Sequence, residues 1–350
     1  MELMRLSLAI AIAAFLPFPM ISCVAADGMM MVYTHDPYED WDLSVEETQY
    51  GMINHVNGEE RFILAIRVNS KTLEEAAGAV WMFAVPAQPE SVNINLMPTI
   101  SELNGEKVSD LAKEELCSNL ILGYGTQLYP VLMVPLLGNS NSPVTLSDGS
   151  RFAGFGDSSA DFVEVAKHVE AQGLTMEVVS TEYAEALDSY LQDRNMRLGN
   201  ASYSLVEEYI GQDYCFVISW ISDADEFLAE ANIQYDRSTG SSYFEIGLFT
   251  RFPTDRIFYP LRLTSIYGET IVPMLLQVLG YVEPDEAGLS TGRLDAKVEH
   301  KVDSSYYVSP DQSEFFEGMG FAIDPYGERL RDVEYTDIVI TVPSNQLEAD

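Results

Sequence analysis

Apolar residues recur along this chain in short runs, many with a period of two, separated by glycine- and proline-rich breaks. That spacing predicts strands more often than helices. Between residues 49 and 69 two such runs, YGMINHV and RFILAIRVN, flank Asn57-Gly58-Glu59-Glu60. Asn-Gly between apolar runs predicts a tight hairpin. Residues 79–85 (AVWMFAV), stopped by Pro86 and Pro89, and residues 91–97 (SVNINLM) predict a third and a fourth strand. Residues 162–168 and 174–179 about Gln172-Gly173 predict a second hairpin. Further strands are expected at 214–221, 243–252, 257–266 and 270–282, with a closing strand over 334–342 and an exposed loop over 285–295. Helical spacing is confined to four places: 108–116, 204–209, 311–317, and a segment that Thr181 would cap. In that segment Ala184, Leu187, Tyr190 and Leu191 share one face.

Strands in groups with few helices between them predict an α+β fold. Its sheets would be mainly antiparallel, with a few helices packed on them, in one large or two related subdomains. Residues 27–121 would form an N-terminal α+β subdomain and 161–345 a C-terminal one. Residues 122–160, rich in Gly, Pro, Ser and Asn, would connect them. The segments FAVPAQP and TRFPTDRIFYP, each a strand running into proline, would mark the two related halves.

The opening of the chain has a different texture. Arg5 precedes the apolar run LSLAIAIAAFL, Pro17 and Pro19 break it, and Val24-Ala25-Ala26 supply small residues before Asp27-Gly28. That order predicts a signal peptide over residues 1–26, and a secreted or cell-envelope product. The run is too short for a membrane span, which takes about 20 apolar residues, and no membrane span is expected in the mature chain. Lipid attachment at Cys23, in Met20-Ile21-Ser22-Cys23, and retention of the segment as an anchor are alternatives.

Charge narrows the partners. Lys plus Arg number 19 against 55 Asp plus Glu, a net charge of −36. Such a surface disfavours nucleic acid and anionic membranes, which select basic faces. Three cysteines occur; with Cys23 in the signal, Cys117 and Cys215 remain for a disulfide, which an exported setting permits. Against a bridge, Cys215 sits in a run that reads as a buried strand, where a free thiol behaves as a small apolar group.

Candidate chemistry is sparse. HDPYEDWD holds Asp36, Glu39, Asp40 and Asp42, oxygen donors suited to calcium, although Tyr38 breaks the EF-hand pattern. Asp223-Ala224-Asp225 fails in the same way at Phe227, and both stretches read as solvated loops. Gly156-Asp157-Ser158 is similar to an esterase nucleophile block, but the last histidine, His300, lacks the Asp two residues ahead that such enzymes use. His55 and His168 fall in strands and read as structural. Asn200-Ala201-Ser202 is a glycosylation sequon. No G-x-S-x-G, H-E-x-x-H or Walker sequence is present.

The runs LDSYLQDRNMRL, LVEEYIGQDYCFVISWI and FPTDRIFYPLRLTSI, with Asp27-Gly28 after the signal and the early FAVP, resemble an exported prokaryotic family known as domain of unknown function 2330 (DUF2330). The resemblance covers most of the mature chain. It departs at Met29-Met30-Met31, where many members have a cysteine-rich start. It implies export and fold class, and supplies no catalytic residues. The expected function is therefore an exported, non-enzymatic binding or structural module that meets an extracellular partner or ligand, with no cofactor, or calcium at most. An extracellular hydrolase using carboxylate or metal chemistry is the alternative.

Overall fold

The computed structural model describes residues 29–33, 42–43, 48–69, 78–97, 163–194, 196, 198, 200–230, 233–236, 241–284, 296–303, 306–307, 313–321, 329–330 and 333–347. Two large sheets face each other. The first contains β1 (Met29–Tyr33), β2 (Asp42–Leu43), β5 (Gly78–Val85), β7 (Val163–Ala171), β8 (Leu174–Thr181) and β9 (Cys215–Ile221), in the order β2-β1-β5-β9-β8-β7. Every neighbouring pair in it is antiparallel.

The second sheet contains β3 (Thr48–Val56), β4 (Glu59–Asn69), β6 (Asn93–Met97), β10 (Ile233–Asp236), β11 (Ser241–Pro253), β12 (Met274–Leu279), β13 (Ala296–Asp303) and β16 (Val333–Ile340). Its order is β10-β11-β4-β3-β12-β16-β13, and β6 also pairs with β11. One pair, β3 with β12, is parallel. A small ribbon joins β14 (Tyr306–Tyr307) to β15 (Arg329–Leu330). This is a sheet-dominated α+β fold, as expected from the apolar pattern.

Both predicted hairpins form. The turns place Asn57 at φ 56° with Gly58 at 76°, and Gln172 at 55° with Gly173 at 73°. Two consecutive left-handed residues match the twist of the flanking strands. Gly173 is further constrained, because a Cβ there would collide with the backbone of Asp223 and Phe227.

Alternation along the strands sorts side chains into three apolar layers. Trp81, Phe83 and Val85 of β5 face Phe62 and Leu64 of β4 across the space between the sheets, with Val217, Leu248, Leu276 and Ile340. The opposite face of the first sheet carries Val80, Met82, Phe216 and Ile218. Three helices cover that face: α1 (Ala184–Gln192), α2 (Asn200–Tyr209) and, beyond α3 (Ala224–Glu230), α4 (Leu261–Thr264). They do so through Leu187, Leu191, Val206 and Leu263. The outer face of the second sheet is closed by Phe316 of α5 (Ser313–Gly318) and Met319, on Met52, Ile63 and Leu275. The central strands β5 and β9 are buried on both faces, which is why they read as unbroken apolar runs.

Four sequence expectations are corrected. Tyr183, not Thr181, stands at the cap position of α1; Thr181 Oγ1 instead closes a turn on the Tyr183 backbone. The segment 257–266 is not a strand, since Pro260 leads into the short α4 and a 3₁₀ turn. Residues 224–230 form α3, capped by Asp223, whose Oδ1 accepts the Glu226 N–H at 3.0 Å. The second helix begins at Asn200, four residues before the expected start. The segments expected as subdomains share both sheets: β5 of the first pairs with β9 of the second, and β4 with β11. The connector 122–160, the helix at 108–116 and residues 1–26 lie outside the described residues.

Candidate functional site

The hairpin β7–β8 places His168 directly opposite Glu177. Its two-residue turn fixes that register, so the juxtaposition follows from Gln172-Gly173. His168 Nδ1 donates to Glu177 Oε1 at 2.7 Å, and Nε2 donates to Glu170 Oε1 at 3.1 Å. With both ring nitrogens on carboxylates, the imidazole is held as the cation. The hydrogen bond that His168 donates to Glu177 raises the His168 pKa above its ordinary value against a smaller opposing effect of burial.

Glu177 is almost wholly buried while His168 is half exposed. Arg194, just past α1, approaches the other carboxylate oxygen, with Nη2 3.8 Å from Glu177 Oε2. Its Nη1 donates to the Tyr190 carbonyl at 3.1 Å. The guanidinium carbon lies 3.7 Å from the Tyr190 ring centre and 5.7 Å from that of Trp220. Burial pulls the Arg194 pKa down from its usual value. The result is a shallow patch in which a buried carboxylate holds two cations, one of them stacked on aromatic rings.

A second polar feature lies inside the molecule. Glu60, the second residue of β4, lies opposite His55, is fully shielded from solvent, and accepts the Phe258 N–H through Oε2 at 2.8 Å. Desolvation pushes its pKa up to about 8, against the Phe258 hydrogen bond. His55 Nε2 donates to the Thr254 carbonyl at 2.8 Å, and the Thr254 N–H donates to Gly58 O at 3.1 Å. Three contacts thus strap residues 254–258 onto the end of the β3–β4 hairpin.

The third feature crosses the outer face of the second sheet. Tyr50 donates to Gln277 Oε1 at 3.0 Å, and Gln277 Nε2 donates to Asp337 Oδ1 at 3.0 Å. Lys301 Nζ sits 2.6 Å from Asp337 Oδ2 and 3.7 Å from Glu299 Oε2. Four adjacent strands, β3, β12, β16 and β13, each contribute to this line. At the other side of β13, His300 meets Thr336 at 3.0 Å. The Thr336 hydroxyl donates to Gly280 O at 2.7 Å, so it accepts from His300 Nδ1–H.

The residues singled out from sequence do not converge on any of these features. Asp36, Glu39 and Asp40 lie outside the described residues. Asp42 lies in β2, paired with Val32. Cys215 is fully buried between the sheets, and desolvation pushes its thiol up to about 12. Cys117 lies outside the described residues, as do Cys23 and Gly156-Asp157-Ser158. Asn200 is the first residue of α2. Among the described residues, no group of three or more His, Cys, Asp and Glu side chains is arranged to hold a metal ion. Among them too, no helix is long and apolar enough to cross a membrane.

Sequence reading noted the histidines but missed their partners. The signal was present in both hairpin registers, which set His55 opposite Glu60 and His168 opposite Glu177.

No family model matches this chain, and no curated protein matches it significantly. Among solved structures it is similar to one titled "Crystal structure of baculovirus P35", with 9% identity and a TM-score of 0.23. The match covers 84% of this chain and 96% of the other. No common fold follows from superposition at that level.

Proposed function

We propose that this chain is a non-enzymatic binding or structural module that works outside the cytoplasm, as an exported or envelope protein. One observation carries the reading: among the described residues, the three carboxylate- or imidazole-centred groups with displaced pKa values, Glu59, Glu60 and His168, are committed to the fold, Glu59 by its 2.6 Å hydrogen bond from Arg251. His168 gives both nitrogens to its own carboxylates, so it has no free nitrogen with which to take a proton from a substrate. Glu60 has the raised pKa of a general acid, yet it is enclosed between the sheets and tied to Phe258. Contacts with a ligand then fall to the surface around Arg194, Tyr190 and Trp220, where a stacked cation and aromatic rings are presented by rigid elements. The strong negative charge suits a partner that is neutral or basic.

The test is direct. Purified protein, offered a broad panel of hydrolase substrates, is expected to turn none over. Turnover that a single Asp, Glu or Ser substitution abolishes would replace this reading with the hydrolase alternative.

A further inference from the structure

The strand β13 ends the second sheet, and among the described residues nothing pairs with its other edge. It is eight residues long and contains neither proline nor glycine. Long unpaired edges invite another strand unless something blunts them. The sequence of this edge, Lys297-Val298-Glu299-His300-Lys301-Val302-Asp303, carries a pattern that reads the same from both ends once signs are exchanged.

We propose that β13 pairs antiparallel with β13 of a second copy, about a two-fold axis through His300, to join two sheets into one. In this register Lys297 lies opposite Asp303 of the partner copy, and Glu299 opposite its Lys301. Val298 lies opposite Val302, and the two His300 side chains face each other at the axis. A slip by two residues in one direction sets Lys297 against Lys301 and Glu299 against Glu299. The opposite slip sets Glu299 against Asp303 and Lys301 against itself. Like charges directly opposite one another are destabilising, so the charge order selects one register. A slip by one residue would join the two sheets with their faces reversed, setting the inward-facing residues of one copy beside the outward-facing residues of the other.

Two observations add to the pattern. Glu299 faces Asp337 on its own sheet, a like-charged neighbour; Lys301 bridges the two and Lys297 Nζ lies 3.3 Å from Glu299 Oε1, so Lys301 of the partner copy adds a further cation to this acidic pair. Two of the exposed large apolar side chains also lie at this edge: Val302 is 52% exposed, and Tyr281, 55% exposed, stacks on His300 at 5.1 Å. Pairing would cover both. The proposal is independent of the ligand patch at Arg194.

Sedimentation equilibrium of the purified protein between roughly 1 and 200 µM reads the association directly. A monomer–dimer equilibrium that weakens in high salt is expected. Lys297→Asp turns two attractive pairs into two repulsive ones and is expected to raise the dimer dissociation constant about tenfold or more. The double variant Lys297→Asp with Asp303→Lys restores opposite signs and is expected to return it to within about threefold of the native value. Val302→Glu, at an exposed position opposite Val298 of the partner copy, is expected to dissociate the dimer while the monomer stays folded. A native protein that stays monomeric throughout, or a Lys297→Asp dimer of unchanged affinity, overturns the proposal. So does a folded double variant no tighter than the single one.

Discussion

Glu60 accepts the backbone N–H of Phe258 at 2.8 Å while its carboxyl group has no contact with water. Desolvation raises its folded pKa from 4.5 to about 8, so between those values the folded chain keeps a proton that the unfolded chain gives up. Stability therefore falls as pH rises through that window, by up to about 5 kcal/mol when ionisation is complete. Glu60→Gln keeps an acceptor for Phe258 and cannot ionise. Denaturant unfolding at pH 5, 7 and 9 is expected to show native stability declining and the variant flat, the variant being the more stable at pH 9. Parallel pH profiles for the two proteins would refute the assignment.

The His168–Glu177 pair titrates with the same sign, since the folded state again holds the proton more tightly. A histidine with a raised folded pKa contributes stability that is fully present below its unfolded pKa, about 6.5. That contribution is lost as pH rises through the folded value. Glu177→Gln is expected to lower the His168 pKa, read from the imidazole proton shifts in an NMR titration. Glu170→Gln is expected to lower it less, since the Glu170 contact is the smaller cause. A His168 titration unmoved by Glu177→Gln would show that the pair does not form.

Asp337 is buried and has Lys301 at 2.6 Å. Lys301→Met strands a carboxylate beside Tyr50 and Gln277 and is expected to cost about 3 kcal/mol of unfolding free energy. Adding Asp337→Leu should recover part of that loss, because the uncompensated charge is removed while the buried Gln277 amide gives up its acceptor. Urea unfolding of the single and double variants measures both effects; additive losses would argue against the pairing.

Gly173 serves two purposes in the β7–β8 turn. Its φ of 73° is left-handed, and its carbonyl accepts Ser222 N–H at 2.8 Å and Asp223 N–H at 3.0 Å. A methyl group would meet the backbone at Asp223 and Phe227, where no side chain can swing away. Gly173→Ala is expected to cost about 2–4 kcal/mol in thermal unfolding, whereas Gly58→Ala, with open space around it, is expected to cost about 1 kcal/mol. Equal losses would mean that dihedral strain alone is at work.

The parts of this fold that were legible in the sequence are those where local chemistry decides. Asn57-Gly58 and Gln172-Gly173 announce their turns, and AVWMFAV and CFVISWI announce strands buried on both faces. What escaped depends on distant neighbours. β13 (AKVEHKVD) is half charged because it is an edge, so its apolar signal is weak and it was passed over. Asp223-Ala224-Asp225 read as a solvated loop because capping aspartates and loop aspartates look alike until the helix behind them is seen. Residues 257–266 carry strand-like composition, yet Phe258 and Tyr259 are spent on anchoring a turn instead. The candidate site was hidden for a different reason. Glu60 and Glu177 belong to a chain with 55 acids, and only burial, which the linear order does not show, distinguishes them.

The parallel contact of β3 with β12 joins residues more than two hundred positions apart, and β16 then lies on the far side of β12. An emerging polypeptide can fold its first hairpin early, but the sheet that hairpin belongs to stays incomplete until β12 and β16 have been delivered. Assembly must therefore be slow and late. During that interval Tyr50 and Met52 lack the apolar cover that Leu275, Phe316 and Val339 later supply, so the vulnerable species is the chain that has its first hairpin but not yet β12 and β16.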